Sequence, residues 1–481
     1  MTSINLVMLL PYIVLAAAIV VVMLTIAIYR QHALIAGISL IGITASFLTL
    51  PVVWGLTTGS MVTSLFIIDH AGLLFTGILL LAAFVVILMS YPYLQKISIQ
   101  AEEYYLLLLL ATLGGTILVI SNHFASLFLA LEILSVSLYA LIGYLRDREK
   151  SIEAAIKYLV LAAASVAFMM FGVALIYMDQ GTLTFDKLVI TPGTGPGLHD
   201  ILTFVGFGML FVGFGFKLAV VPFHMWTPDV YEGAPAPISG FVATVSKGAM
   251  FAVFLRLSAA SGFQQVPALT LALTMIAILS MLVGNLLALL QSNVKRILAY
   301  SSIANLGYLL VAFLANTGLA VEAATFYIVT YFITTLGAFG IVSVISSSAR
   351  DAEDIEDYRG LFWERPWLAT LFTLALFSLI GIPLTAGFIG KFFILTAGIG
   401  ATKWLLVIVL VLGSAISLYY YLKITVSMFS EPEPEITSLA KGAPITLPDG
   451  LALGGLMALL LWLGLFPTPL ISLIQSAISG L

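Results

Sequence analysis

Fourteen long apolar runs succeed one another along the 481-residue chain, near 6–29, 32–53, 71–91, 104–120, 123–144, 154–178, 201–221, 237–260, 267–290, 296–315, 322–347, 367–399, 404–429 and 447–470. About 20 apolar residues suffice to cross a bilayer as a helix. Backbone groups in lipid find no water, so such runs satisfy their N–H and C=O groups internally, as helices. The chain is 61% hydrophobic and 9% charged, whereas soluble domains carry about 25% charged residues. That leaves too little polar surface to enclose one soluble core. The expectation is an all-α polytopic membrane protein of about fourteen spanning helices. The first run lacks a basic leader and a small-residue cleavage site, so it reads as a span and not as a removable signal.

Loop charge orients these helices, because cytoplasmic loops are enriched in Lys and Arg. Of the nineteen basic residues, loops of one parity hold Arg30, Lys96, Arg146, Arg148, Lys150, Lys295, Arg296, Arg350, Arg359, Arg365 and Lys441. The other parity holds only Lys187 and Lys403. This bias puts both termini on the outer, non-cytoplasmic side. The outer segment Thr191–Gly197, rich in Gly and Pro, reads as a flexible connector. The inner segment from Arg350 to Arg359 is dense in charge and is either a solvated loop or a contact for a soluble partner.

The remaining basic residues lie within the runs, where a charge costs on the order of several kcal/mol. Glu132 joins them, about ten residues into the fifth run and so roughly 15 Å deep. It is either half of a structural ion pair or a carboxylate that handles protons. Lys217 precedes Pro222, whose ring and missing N–H break a helix. Lys391 follows Gly381 and Pro383, which predict a second break. Interrupted helices free carbonyls and admit water, and transporters place ion sites there. The strings Gly213-Phe-Gly-Phe-Lys217 and Gly387-Phe-Ile-Gly-Lys391 resemble each other five spans apart, which fits an inverted five-helix repeat. The division expected is 1–103, a three-helix segment; 104–260 and 261–429, the two repeats; and 430–481, a loop with the last helix.

Lys247 lies about ten residues into the eighth run, between Ser246 and Gly248, small residues that admit water or close helix approach. Lys157 is only about four residues into its run. It either snorkels, pairs with Glu153 one turn away, or joins the buried row. His224 stands beside the first break and either relays protons or only bonds freed carbonyls. Arg256 and Lys423 stay unassigned. A lysine held in a low-dielectric interior can release its proton near neutral pH. Glu132 against protonated Lys217 would stabilise that charge. Withdrawing Glu132 would send the proton through water and His224 to Lys247, and on to Lys391. Lysines favour H⁺ over Na⁺ as the ion, since an ammonium offers sodium no oxygen ligands.

Other chemistry is poorly supported. Cysteine is absent, which excludes thiolate-held iron–sulfur clusters and disulfides from this chain. His32, His70, His123, His199 and His224 show no metal-ligand spacing. The net charge of −4, with no basic run, argues against nucleic acid as a partner. Gly206-Phe-Gly208 lies inside an apolar run and is no nucleotide-binding turn.

Three stretches carry a family resemblance. Lys217–Pro237, with Pro222-Phe-His-Met-Trp-Thr-Pro-Asp229 at its centre, resembles the signature of the antiporter-like subunits of respiratory complex I. So do Asn293-Val-Lys-Arg-Ile-Leu-Ala-Tyr-Ser-Ser302 and Gly381–Lys391. The strings at 358–363 and 417–423 look like one class of these subunits. An ending soon after the last span sets it apart from the class with a long lateral helix. Lys391 sets it apart from the class with glutamate there.

The resemblance implies proton translocation coupled to electron transfer from NADH to quinone. It implies that FMN, iron–sulfur clusters and quinone reside in or with partner subunits, with no cofactor in this chain. It also implies other membrane subunits side by side in a bacterial inner membrane, with periplasmic termini. Glu132 matches the family's carboxylate on the fifth helix. Lys217, Lys247 and Lys391 match its lysines on the seventh, eighth and twelfth. Two other readings remain open: a subunit of a multi-subunit Na⁺/H⁺ antiporter, and a membrane scaffold. Ionisable residues inside spans argue against the scaffold.

Overall fold

The computed structural model describes residues 3–57, 59–188, 198–431 and 445–478, so the Thr191–Gly197 connector and Lys441 lie outside the described residues. The described chain is helical apart from short turns and a two-stranded hairpin pairing Ser60–Met61 with Ile67–Ile68. The main helices are α1 Leu10–Ile28, α2 His32–Trp54, α3 His70–Ile97, α4 Glu102–Val119, α5 Phe124–Ile142 and α6 Glu149–Gln180. They continue with α7 Leu198–Leu218, α8 Trp226–Gly233, α9 Ala236–Ser261, α10 Pro267–Leu289, α11 Val294–Ala315 and α12 Gly318–Ile345. The last are α13 Pro366–Ile380, α14 Ala386–Gly400, α15 Trp404–Phe429, α16 Leu447–Leu465 and α17 Thr468–Ile478. Among the described residues 13 helices are long and apolar enough to cross a membrane. The pair α13 and α14 makes one further crossing, which gives the expected fourteen. The last run is shorter than read from sequence, because Pro467 divides it into α16 and α17.

Both expected breaks are present. α7 stops at Leu218, the residue whose carbonyl the Pro222 ring would strike. Groups freed there find partners: Trp226 Nε1 donates to the Phe216 carbonyl at 2.9 Å, and the Val221 N–H donates to Ser280 Oγ at 2.9 Å. α13 stops at Ile380, where Gly381 turns the chain at φ 90°. α14 restarts it at Ala386. Lys217 therefore ends the first half of its broken helix, whereas Lys391 lies in the second half of the other. The similar strings around them do not occupy matching places.

Three helices form the centre. α9, α11 and α12 are buried along most of their length, whereas α1, α2, α6, α10 and α16 are less than half buried. An apolar helix enclosed on all sides belongs to the interior, and α9 carries Lys247 there.

Ion pairs fasten both ends of this bundle. At one end Arg256 of α9 pairs bidentately with Asp69 at 2.6 and 2.9 Å, and Asp69 also caps α3 by accepting from the Gly72 N–H. At the other end the charge-rich segment around Arg350–Arg359 is anchored to the bundle. It folds back so that Asp351 is buried, accepting from Lys295 at 2.8 Å, Arg148 at 2.9 Å and Tyr93 at 2.7 Å. Burial alone would raise the Asp351 carboxyl, but the charges of Lys295 and Arg148 outweigh it and hold that group below the usual carboxylate range. Further along, Glu353 meets Lys150 and Asp357 meets Arg350.

Candidate functional site

Lys217, Lys247 and Lys391 are all buried, as the sequence leads one to expect of charge-bearing residues deep in a span. Each sits at an irregularity in its helix. Lys217 occupies the last turn of α7. Its ammonium donates to Ser135 Oγ at 2.7 Å and to the Tyr158 hydroxyl at 3.2 Å, and stands 5.1 Å from the Tyr158 ring centre. Lys247 follows a π-turn at Val242–Ser246, a wider turn of the kind often found at functional sites. It donates to Ser302 Oγ at 2.6 Å and stands 5.4 Å from the Tyr231 ring centre. Lys391 reaches back to the end of α13 and donates to the carbonyls of Leu379 at 2.7 Å and Ile380 at 2.9 Å. A cation there favours the carbonyl-rich end of a helix.

Clusters of hydroxyl and amide groups lie between these amines. The Tyr158 hydroxyl faces Ser246, the residue before Lys247. From Lys247 the contacts pass to Ser302, whose Oγ meets the Tyr331 hydroxyl at 2.6 Å. On the same helix α11, Ser301 bonds Tyr421 and accepts from Asn305 Nδ2 at 3.0 Å. The Asn305 Oδ1 accepts from Tyr327 at 2.6 Å. Farther on, Asn285 accepts from Tyr420 at 3.0 Å and donates to Tyr308 at 2.9 Å. Tyr308 faces Ser414, and Ser414 lies 3.5 Å from Lys391. A cavity of about 10 Å³, the space that about one water requires, is lined by Lys247, Asn305, Tyr327 and Tyr331 together with the apolar Leu306, Leu309, Ile328 and Phe332.

Apart from Ser246, named only as a small neighbour of Lys247, the sequence does not single out these uncharged partners. Ser301 and Ser302 fell in a string noted only for its family likeness. Their signal, hydroxyls one turn from an amide on a buried helix, is weak among many similar residues.

Three sequence candidates take other places. Glu132 makes no ion pair or hydrogen bond to another described residue; the Lys217 ammonium bonds Ser135, one turn along α5, with the Glu132 charge near enough to act on it. Glu132 lies half-buried on a stripe of α5 that also carries the exposed Leu129, Ile133 and Val136. His224 is buried in the turn between α7 and α8, with Nδ1 lacking a partner. Among the described residues Lys217 bonds Tyr158, which faces Ser246, and makes no hydrogen bond to His224. Lys157 is 42% exposed and pairs with Glu153 at 2.6 Å and Asp229 at 2.7 Å, which is the pairing alternative raised by its spacing. Asp229 also meets Arg296, so Lys157 belongs to an ionic belt around α8.

Residues 121–417 match the family model described as NADH:quinone oxidoreductase/Mrp antiporter, TM. Among solved structures, a chain of respiratory complex I from Thermus thermophilus with bound aureothin is 34% identical, with a TM-score of 0.82, covering 96% of this chain and 98% of that one. A chain of the membrane-bound sulfane sulfur reductase, an archaeal respiratory membrane complex, is 24% identical, with a TM-score of 0.83 over 98% of this chain and 97% of that one. A chain of the Mrp complex from Dietzia sp. DQ12-45-1b is 20% identical, with a TM-score of 0.85 over 99% of this chain and 97% of that one.

Proposed function

This chain belongs to the NADH:quinone oxidoreductase/Mrp antiporter membrane family, and on that footing we propose that it is the proton-translocating subunit N of a bacterial respiratory complex I. It is an antiporter-like, multi-pass membrane subunit. The observation that carries the proposal is the row Lys217, Lys247 and Lys391. Each amine is enclosed by protein, set at a helix irregularity and bonded to uncharged oxygens rather than to a carboxylate. A permanently charged structural lysine is commonly paired, as Lys295 is with Asp351. The strings at 358–363 and 417–423 and the lysine at 391 support the N class.

In this reading a proton enters near Lys217, passes Tyr158 and Ser246 to Lys247, and reaches Lys391 on the far side. Glu132 acts from its exposed stripe. A carboxylate on an outward-facing stripe in a membrane calls for cover, and a neighbouring membrane subunit beside α5 would supply it. FMN, iron–sulfur clusters and quinone belong to or with partner subunits. The membrane is the bacterial inner membrane, with both termini periplasmic.

The test is proton pumping by the whole complex in proteoliposomes with Lys217→Ala, electron transfer being measured alongside. Pumping should fall far below wild type. Full pumping with that variant would overturn the reading. The Na⁺/H⁺ antiporter alternative predicts purification without flavin-containing subunits. Higher identity to the respiratory chain than to the Mrp chain favours complex I.

A further inference from the structure

Two side-chain amides, Asn305 and Asn285, stand in the hydrogen-bonded clusters between Lys247 and Lys391. A hydroxyl or a water accepts a proton on one side and gives another up on the other. A neutral amide has an oxygen that only accepts and a nitrogen that only donates. Asn305 is buried with both ends engaged: Oδ1 takes the Tyr327 proton at 2.6 Å, and Nδ2 gives to Ser301 at 3.0 Å. Because Tyr327 donates to Asn305, its oxygen is left only to accept, and Tyr327 and Lys247 both line the same water-sized cavity.

Resting on the proton reading above, we propose that Asn305 is a positioning residue that interrupts proton hopping from Lys247 toward Lys391 and makes transfer conditional on water in the cavity beside it. The step can be followed bond by bond. Lys247 breaks one N–H bond, and a cavity water gains that proton. The water passes one of its protons to the Tyr327 oxygen. The original Tyr327 proton then has only Asn305 Oδ1 to go to. Completing the relay requires Nδ2 to lose a proton to Ser301, which leaves an imidic acid that must tautomerise back. That route is unfavourable, so the proton waits until Tyr327 turns or a second water enters. The amide thus opposes idle leakage through the protein.

The experiment uses the complete complex in proteoliposomes, with Asn305→Ser, Asn305→Gln and Asn305→Leu. Two quantities are read: passive proton flux down an imposed pH gradient with no electron donor, and protons moved per electron during turnover. Asn305→Ser supplies a hydroxyl that both accepts and donates, so passive flux should rise several-fold and the ratio should fall. Asn305→Gln keeps an amide and should stay near wild type. Asn305→Leu should lower turnover without a leak. Passive flux in Asn305→Ser equal to wild type overturns the proposal, as does an equal leak in Asn305→Leu, which would mean mere loosening. If Asn305→Ser does not assemble, Tyr327→Phe decides: pumping should drop without a leak, and normal pumping overturns the proposal. Passive flux needs no pumping, so its outcome is separate from that of Lys217→Ala.

Discussion

The Lys391 ammonium lies 2.7 Å from the carbonyl oxygen of Leu379, a residue on the other half of the same broken helix. The contact crosses the break: a side chain from α14 closes the open end of α13. The carbonyls left without intrahelical partners at that end thereby acquire a donor. Gly381 sits directly beneath, with φ 90° and with no room for a Cβ, which would approach Lys391 Cδ to 2.9 Å.

Gly381→Ala should therefore displace the Lys391 ammonium. The positive φ alone costs on the order of 1–2 kcal/mol for a residue with a Cβ. We expect lower thermal stability of the complex and a loss of pumping approaching that of Lys391→Ala. The double variant should be little worse than either single one. Simple additivity in pumping would contradict the link.

Tyr158→Phe removes one hydroxyl and keeps the ring that packs 4.8 Å from Trp226. If that hydroxyl passes protons between Lys217 and Ser246, pumping should fall by roughly tenfold or more. Assembly and the melting temperature should change little. An unchanged proton-to-electron ratio would remove Tyr158 from the route.

Asp351→Asn leaves Lys295 buried without its carboxylate. Breaking one side of a buried pair costs about 3–5 kcal/mol, to be read as a drop in the unfolding temperature. The native Asp351 pKa lies below the unfolded value of 3.8. Its contribution is thus complete above that value and disappears as pH falls through the lower native one. The wild type should lose this increment of stability under strong acid, while Asp351→Asn should not.

Lys157→Met breaks two half-exposed contacts, to Glu153 and Asp229. Exposed pairs contribute about 0–1 kcal/mol each. The variant should lose far less pumping than Lys217→Ala. Equal losses would return Lys157 to the transport row.

The sequence made the helices and both interruptions legible, because long apolar runs, Pro222, Gly381 and Pro383 act locally. It also exposed Lys217, Lys247 and Lys391, because a charge inside an apolar run is rare and costly. Ser135, Tyr158, Ser302 and Asn305 carry no such cost and look like many other serines, tyrosines and asparagines. Only the packing of α5, α6, α9 and α11 picks them out. Asp351 was hidden for a different reason: Tyr93, Arg148 and Lys295 are far away in sequence, so a charge-rich loop and a buried anchor read alike. Glu132 makes no direct bond to Lys217 among the described residues, where Ser135 on the same helix takes the ammonium, but it lies near enough for its charge to act there.

Lys295 spends its three N–H bonds on three oxygens, at Glu232, Ala234 and Asp351. Its nitrogen is saturated on every side, and a planar guanidinium could not match that tripod. Lys247 has one oxygen acceptor among the described residues, Ser302, with the Tyr231 ring beside it and a small cavity along its side chain. Two lysines equally sealed from solvent thus differ in kind: one is a rivet, and the other has valences to spare for traffic.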